Sequence, residues 1–323
     1  AIERNEVHAS GGDIIGFLGG RGKQLLDQGK VKILLQVSGQ KAAALTPYNV
    51  PWVMDVIPET QRPLFTMVNP ILDLAHALAD PELDFQGFED MISAAARRDE
   101  RVVWAERVES DLMARSPVLV WRNATRIRLI HAFRAAYGVP EGELIEGEPL
   151  ICDGIELPLK HRKKRLDLEA RGLIKGAQVI YLGPGRRPGF SRLHIIGAED
   201  PQVNAASIIK IEKEGDEEPF IPFAARMGAT FLHGAAVTIH KAQGSQWDTV
   251  QVFGPDIYTA ARMGRVEAGQ PLWKRLAYVA ITRAETQLRW VVRNRLAKPS
   301  GPLRVDDLPA APASFALERE DTE

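Results

Sequence analysis

The sequence predicts an α/β protein, a parallel sheet flanked by helices and interrupted by a small β-barrel. Three observations predict it. Two apolar runs, 235–239 and 250–253, flank a polar turn, His240-Lys241-Ala242-Gln243-Gly244-Ser245. The segment 276–292 reads as a helix, then Thr282-Arg283, then a strand. Between Gly147 and about Phe220, short strand-like pieces alternate with Gly and Pro turns, the texture of a barrel.

Taken in order, residues 1–50 read as the end of an α/β domain. A helix over 13–27 is weakened by Gly19, Gly20 and Gly22, and 31–37 is a buried-strand run. The apolar spacing of Phe65, Val68, Ile71, Leu72, Ala75 and Leu78 predicts a helix over 65–79, stopped by Pro81. Helices are expected over 88–98, 104–113 and 125–137, with a strand at 118–121. Barrel strands are expected at 149–152, 177–182, 191–196 and 207–211. The α/β pattern resumes at Met227 and runs to Asn294. From Ala297 the chain is rich in Pro and Ala and then acidic, which predicts a disordered tail.

Bulk properties narrow the function classes. A chain of 323 residues has room for about two domains. No apolar run approaches the ~20 residues that span a bilayer, and no signal peptide is visible. Cys152 is the single cysteine, which excludes an intrachain disulfide and a cysteine-based zinc site and suits a reducing cytoplasm. The net charge of −1 disfavours a generic polyanion coat but allows a local basic track. Basic residues cluster at Lys160, Arg162, Lys163, Lys164 and Arg165, and again at Arg122, Arg126, Arg128 and Arg134. Acid concentrates at 212–218 and in the tail. Such clusters are commonly solvated faces.

A strand that ends in a Gly-containing polar turn can bring N–H groups to a phosphate. An ordinary connecting loop looks the same in isolation. Here the turn is followed by a second patterned segment. Thr238, His240, Lys241, Gln243, Gly244, Ser245 and Asp248 stand in the first; Tyr278, Ala280, Thr282, Arg283 and Ala284 stand in the second. In order and spacing they resemble motifs V and VI of superfamily 1 DNA helicases, nearest the RecD/Dda-like branch with its UvrD-like C-terminal domain. Gly147 to Cys152, and Gly172, Leu173, Gly176 and Val179, resemble the runs that open an SH3-like insertion in that family.

The resemblance implies a RecA-like P-loop NTPase second domain over 51–146 and 221–296, interrupted by an SH3-like β insertion over 147–220. Residues 1–50 would close a first RecA-like domain, and 297–323 would be the tail. It implies ATP and Mg²⁺ as cofactors, single-stranded DNA and DNA junctions as partners, and no membrane. Replication or recombination proteins are further partners it allows, with roles in repair, recombination or phage replication. Glu6 would be the base that activates water, with Asn5 beside it where the family has Asp. An amide can coordinate Mg²⁺ through oxygen but adds no charge. Arg62 would reach the γ-phosphate, and Arg283 would be the arginine finger. Gln243 and Gly244 would couple nucleotide to domain closure. Arg122, Asn123 and Thr125, at a strand-to-helix junction, would face DNA together with Thr238, His240 and Lys241. Asn123 or Thr125 can equally cap a helix, and His240 can equally be a structural histidine.

A motor of this kind needs a P-loop, G-x-x-x-x-G-K-[ST]. None is present; Gly22-Lys23-Gln24 is the nearest run, and Phe17 stands where the first Gly belongs. The expectation is therefore the C-terminal portion of an ATP-dependent DNA helicase. The alternatives are a non-catalytic nucleic-acid-binding remnant and, more distantly, a β-barrel adaptor.

Overall fold

Helices begin where a side chain can cap them. In this computed structural model, which describes residues 69–157, 161–212, 228–305 and 308 with isolated positions 24, 27, 28, 47, 49–51 and 55, Asn69 accepts from the Ile71 amide at 3.0 Å and opens α1 (Pro70–Ala77). Pro70 suits the first helical position because its missing N–H has no partner there anyway. Asp84 accepts from Gly87 N at 2.7 Å and opens α2 (Phe85–Ala96). The chain continues through β1 (Val102–Ala105), the one-turn α3 (Ser110–Met113), β2 (Val118–Val120) and α4 (Asn123–Ala136). Next come β3 (Pro149–Glu156), α5 (Arg162–Ala170), β4 (Gln178–Pro184), β5 (Phe190–Ile195), β6 (Gln202–Lys210) and β7 (Gly228–His233). It ends with β8 (Ala236–Thr238), β9 (Trp247–Phe253), α6 (Gly254–Met263), the pair β10 (Val266–Glu267) and β11 (Gln270–Pro271), α7 (Leu272–Ile281) and β12 (Ala284–Val291).

Two compact units result: Ala1–Trp104 with Tyr258–Thr282, and Ala105–Ile257 with Arg283–Glu323. In the first, the buried face of α2 (Phe85, Phe88, Ile92) has the three-to-four spacing of one helix stripe. Trp273 of α7 meets Phe85 edge-on at 5.5 Å and Phe88 at 6.0 Å between ring centres. The Lys274 ammonium donates to the carbonyls of Asp80 and Pro81, which allows that lysine to be buried.

The second unit carries the α/β layer and the barrel. Its parallel strands run in the order β12-β9-β2-β8. β12 with β9, β9 with β2, and β2 with β8 are all parallel. The α/β class with a parallel sheet expected from the sequence is the one observed. β2 is buried at every residue, as a strand covered on both faces must be. The expected helix over 104–113 is not observed. Val102, Val103 and Trp104 favour a strand, and a helix forms only at 110–113. Between them the amide of Glu109 donates to the buried Gln251 side chain, which donates back to the Glu109 carbonyl.

β3 to β7 close into a barrel. Its core alternates with period two: Leu193 and Ile195, Val203 and Ala205, Ala229 and Phe231. Closure is made by β7, antiparallel to β3 and parallel to β6. The sequence pattern places 228–233 in the α/β layer instead. All six residues of β7 are buried, so its run looks like a parallel-sheet strand and has no alternation to give it away. The same pattern gives α5 no element of its own. Residues 297–305, expected to be tail, are tied to the second unit: Ala297 N donates to Val108 O at 2.8 Å, and Arg115 donates to the Arg304 carbonyl.

A buried charge network joins α4 to the barrel. The fully buried Glu148 carboxylate accepts from Arg134 Nε at 2.8 Å, Ile145 N at 2.8 Å and His233 Nε2 at 3.2 Å. His233 Nδ1 accepts from Ala235 N at 3.2 Å, so the ring proton sits on Nε2 and the imidazole is neutral. Desolvation holds the His233 pKa below its ordinary value, against the pull of Glu148. Nearby, Arg126 pairs with buried Glu212, whose carbonyl meets His131 Nε2 at 2.7 Å. The 122–134 arginines are thus only partly a solvated basic face: Arg122 and Arg128 are exposed, and Arg126 and Arg134 are buried. Arg126 and Arg134 are held in interior ion pairs, Arg126 with the buried Glu212 and Arg134 with the buried Glu148.

Removing one partner of a buried ion pair leaves the other uncompensated, so Glu148→Ala should lose about 3–5 kcal/mol, measured by denaturant unfolding. Because the folded-state pKa of His233 lies below the ordinary histidine value of 6.5, stability is complete above that pH. It falls as the pH drops and the unfolded chain takes up the proton. His233→Gln, which keeps a donor and does not titrate, should flatten the melting temperature between pH 7.5 and pH 5.5, a range chosen to span about one unit either side of the free histidine value.

Candidate nucleic-acid and nucleotide site

Parallel pairing fixes where each candidate side chain emerges. Val118, Leu119 and Val120 of β2 sit opposite Ala236, Val237 and Thr238 of β8, and Val118 and Leu119 also sit opposite Gln251 and Val252. The carboxyl ends of β2 and β8 therefore share one edge of the sheet. The 239–246 loop leaves from that edge and must return to Trp247 at the start of β9. Six residues of β9 separate the two levels, or about 20 Å. One continuous loop thus has its first residues at one edge of the sheet and its last at the other.

At the first edge, Thr238 Oγ1 accepts from Lys241 N at 3.4 Å, and Ala242 N donates to Thr238 O at 3.0 Å. This is one helical turn capped by a threonine. It leaves Thr238 half-buried and turns His240 and Lys241 into solvent. Lys241 Nζ lies 3.9 Å from Asp153 of β3. Gln243 and Gly244 are also exposed, and Gly244 has φ 88°, a conformation that favours glycine.

At the second edge, Arg283 Nη1 donates to the Ser245 carbonyl at 3.2 Å, and the Arg283 carbonyl accepts from Trp247 N at 2.9 Å. Ala284 pairs with Trp247 as β12 starts. The structure therefore brings together Gly244, Ser245 and a half-buried Arg283. The barrel holds this end too: Trp247 Nε1 donates to Gln178 Oε1 at 2.8 Å.

The β2–α4 junction differs from expectation. Asp256, in the first turn of α6, is fully buried. It accepts from Trp121 N (3.1 Å), Arg122 N (2.8 Å), Arg122 Nε (2.9 Å) and Nη2 (2.6 Å), and Thr125 Oγ1 (2.8 Å). The Trp121 and Arg122 amides, the Arg122 guanidinium and the Thr125 hydroxyl are thus engaged by this carboxylate. Thr125 is 1% exposed and points inward, not towards a ligand. Asn123 Oδ1 accepts from Arg126 Nε at 2.8 Å. Arg122 keeps a solvent-facing side chain, 42% exposed, while bound to Asp256. Asp256 has no signal of its own in the sequence, because a lone Asp after a strand looks like any helix-start residue.

Asn5, Glu6 and Arg62 lie outside the described residues. Among the described residues, no group of three or more His, Cys, Asp or Glu could hold a metal ion. No described helix is long and apolar enough to cross a membrane.

The segment containing both edges of the loop and the arginine, residues 233–291, matches a known family. That stretch is similar to the UvrD-like helicase C-terminal domain. The UvrD-like segment starts at the last residue of β7 and ends with β12, so it holds β8, β9 and β12 of the sheet but leaves out the rest of the barrel. Among solved structures, the chain is similar to a Pif1 helicase from Candida albicans (13% identity, TM-score 0.39, 71% of this chain and 55% of that one). It is also similar to a Bacteroides Pif1 in complex with ADP-AlF3 and ssDNA (11%, TM-score 0.36, 69% and 49%). A third is from a study of two Pif1 helicases on forked dsDNA (10%, TM-score 0.37, 69% and 47%). The chain spans about half the length of these structures. No curated protein sequence matches it.

Asp256→Ala removes the acceptor for two backbone amides, a hydroxyl and a guanidinium. Each buried donor left unpaired costs about 1–3 kcal/mol, softened here because Arg122 reaches water. The expected result is a loss of about 3 kcal/mol or more in chemical unfolding, with faster amide exchange at 121–125.

Proposed function

We propose that the chain is the second motor domain of an ATP-dependent DNA helicase, which moves along single-stranded DNA and unwinds duplex. The observation that carries the reading is the 238–247 loop. Its exposed His240 and Lys241 stand at one edge of the sheet, and Arg283 is held against its other end. A loop built in this way can transmit a change at a nucleotide to a change at a strand.

Each residue has a task in this reading. Lys241 and His240 meet the phosphates of the single strand, and Thr238 holds the turn that presents them. Arg122 contributes charge from the neighbouring junction, while Asn123 and Thr125 shape it from inside. Arg283 supplies a planar cation suited to phosphate oxygens. The Ser245 carbonyl keeps it near the Gly244 turn, so movement of the arginine moves the loop. ATP, when bound, supplies the γ-phosphoryl transfer that drives the cycle. Arg283 and the exposed Gln243-Gly244 fit the rim of such a site, with Arg62 as a further arginine. The described residues do not form a Mg²⁺ site, and that role falls to Asn5 and Glu6 in this reading.

Two measurements test it. Anisotropy with a labelled single-stranded oligonucleotide should show His240→Ala with Lys241→Ala weakening binding about tenfold or more, since a lost charge-assisted bond is worth about 1.5–3 kcal/mol. Joined to a segment that supplies a P-loop, the chain should hydrolyse ATP in a DNA-stimulated manner. Arg283→Ala should then lower the rate by about 10³-fold or more. Unchanged hydrolysis would remove Arg283 from the reaction. DNA binding without any hydrolysis would favour the non-catalytic nucleic-acid-binding alternative.

A further inference from the structure

Strand β3 of the barrel breaks its own alternation. Leu150 and Cys152 face the barrel core two residues apart, and the next core residue, Ile155, follows after three. A regular strand would turn residue 154 inward instead. Against β7, Cys152 lies opposite Phe231 and Gly154 opposite Thr230, so Asp153 is an extra residue with no partner on that strand. This is a β-bulge, a device that re-aims a side chain. Gly154 has φ 151°, a conformation that favours glycine, so the local sequence is fitted to the bulge. The Asp153 carboxylate lies 3.9 Å from Lys241 Nζ, on the loop that leaves β8.

The barrel touches this loop at both ends, by different chemistry. At the far end Trp247 donates to Gln178, and Gly176 backs onto Ser245: a Cβ added to this glycine would lie 3.7 Å from Ser245 Oγ. Those contacts are uncharged. The contact at the near end pairs two charges, and an anion can take the place of the carboxylate there. At 3.9 Å it is longer than a hydrogen bond, so the ammonium keeps its three donors for another acceptor. Among the described residues, Asp153 is the one carboxylate paired with Lys241. Both side chains are partly exposed, and a pair of that kind adds little to stability. Its larger effect falls on an incoming anion. A phosphate oxygen drawn to Lys241 meets the like charge of Asp153 beside it. A strand contact that is made and broken at every step is served by such a neighbour, because the contact stays releasable.

We propose that Asp153 competes with strand phosphates for Lys241, and so sets how tightly the 238–247 loop holds a single strand. The inference rests on the helicase reading, which makes Lys241 a strand contact. The test follows the anisotropy of a labelled oligothymidine with the full chain and with its Asp153→Asn, Lys241→Ala and D153N/K241A variants, over a salt series. Asparagine keeps the size of the side chain and removes its charge, and circular dichroism checks the fold. Asp153→Ser, which removes the charge with a different side chain, should reproduce the result. The expected result is binding about two- to fivefold tighter for D153N at low salt, the range of an exposed ion pair. The gain fades as salt screens the pair, and it vanishes where Lys241 is already alanine. Unchanged or weaker binding by D153N, while K241A binds more weakly than the unmodified chain, overturns this inference and leaves the helicase reading standing. A gain of the same size in the K241A background assigns the effect to the general field of the protein and overturns the pairing. No loss in K241A, or no binding by the unmodified chain, overturns the strand contact of the helicase reading and this inference with it.

Discussion

Glu148 has no access to water, and an ionised carboxylate can stay there only if its neighbours replace the lost solvation. They come from three places: Arg134 on α4, the Ile145 amide just before β3, and His233 at the end of β7. The barrel is therefore anchored to α4 through its first and last strands. Three residues after His233 the chain enters the sheet as β8, and two residues later it reaches the Thr238 turn. A shift of the barrel would move the root of the loop that the proposed function depends on. Arg126 with Glu212 repeats the device where β6 ends. Such pairs contribute little net stability compared with apolar packing, but they make a misplaced barrel costly.

Asp256 does for the β2–α4 junction what Glu148 does for the barrel. It draws two backbone amides and two side chains to one point. Anchored in this way, the junction presents Arg122 outward while Thr125 turns in. Between these two fixed points the loop buries Ile239 and Ala242 and exposes His240, Lys241, Gln243 and Gly244. Its contacts with the barrel, Lys241 near Asp153 and Trp247 on Gln178, lie near its two ends. A segment that joins two anchored ends is the physical form a coupling element needs.

Elements whose pattern is local were legible in the sequence. β9, α7 and β12 carry clear apolar runs, and the Thr-Arg break between α7 and β12 stands out. The barrel could be seen from its Gly and Pro punctuation, but its closing strand could not. β7 is buried throughout and its partners lie far away in sequence, on β3 and β6. The same limit applied to charge. Arg126 and Arg134 looked like a basic patch because their partners, Glu212 and Glu148, are set by tertiary structure alone. Thr125 was legible as a helix-start residue, but not as one facing Asp256, whose pairing crosses more than a hundred residues. The Gly244-Ser245 turn and Arg283 were legible individually; that they meet follows from the β9–β12 register.

The central claim is that the first residues of the 238–247 loop contact a single strand. Photo-crosslinking with an oligonucleotide carrying 4-thiothymidine, followed by peptide mapping, tests it most directly. The account predicts crosslinked peptides containing His240 and Lys241, with none from the buried face of α4. Crosslinks confined to other surfaces, with the 238–247 peptide unmodified, would contradict it.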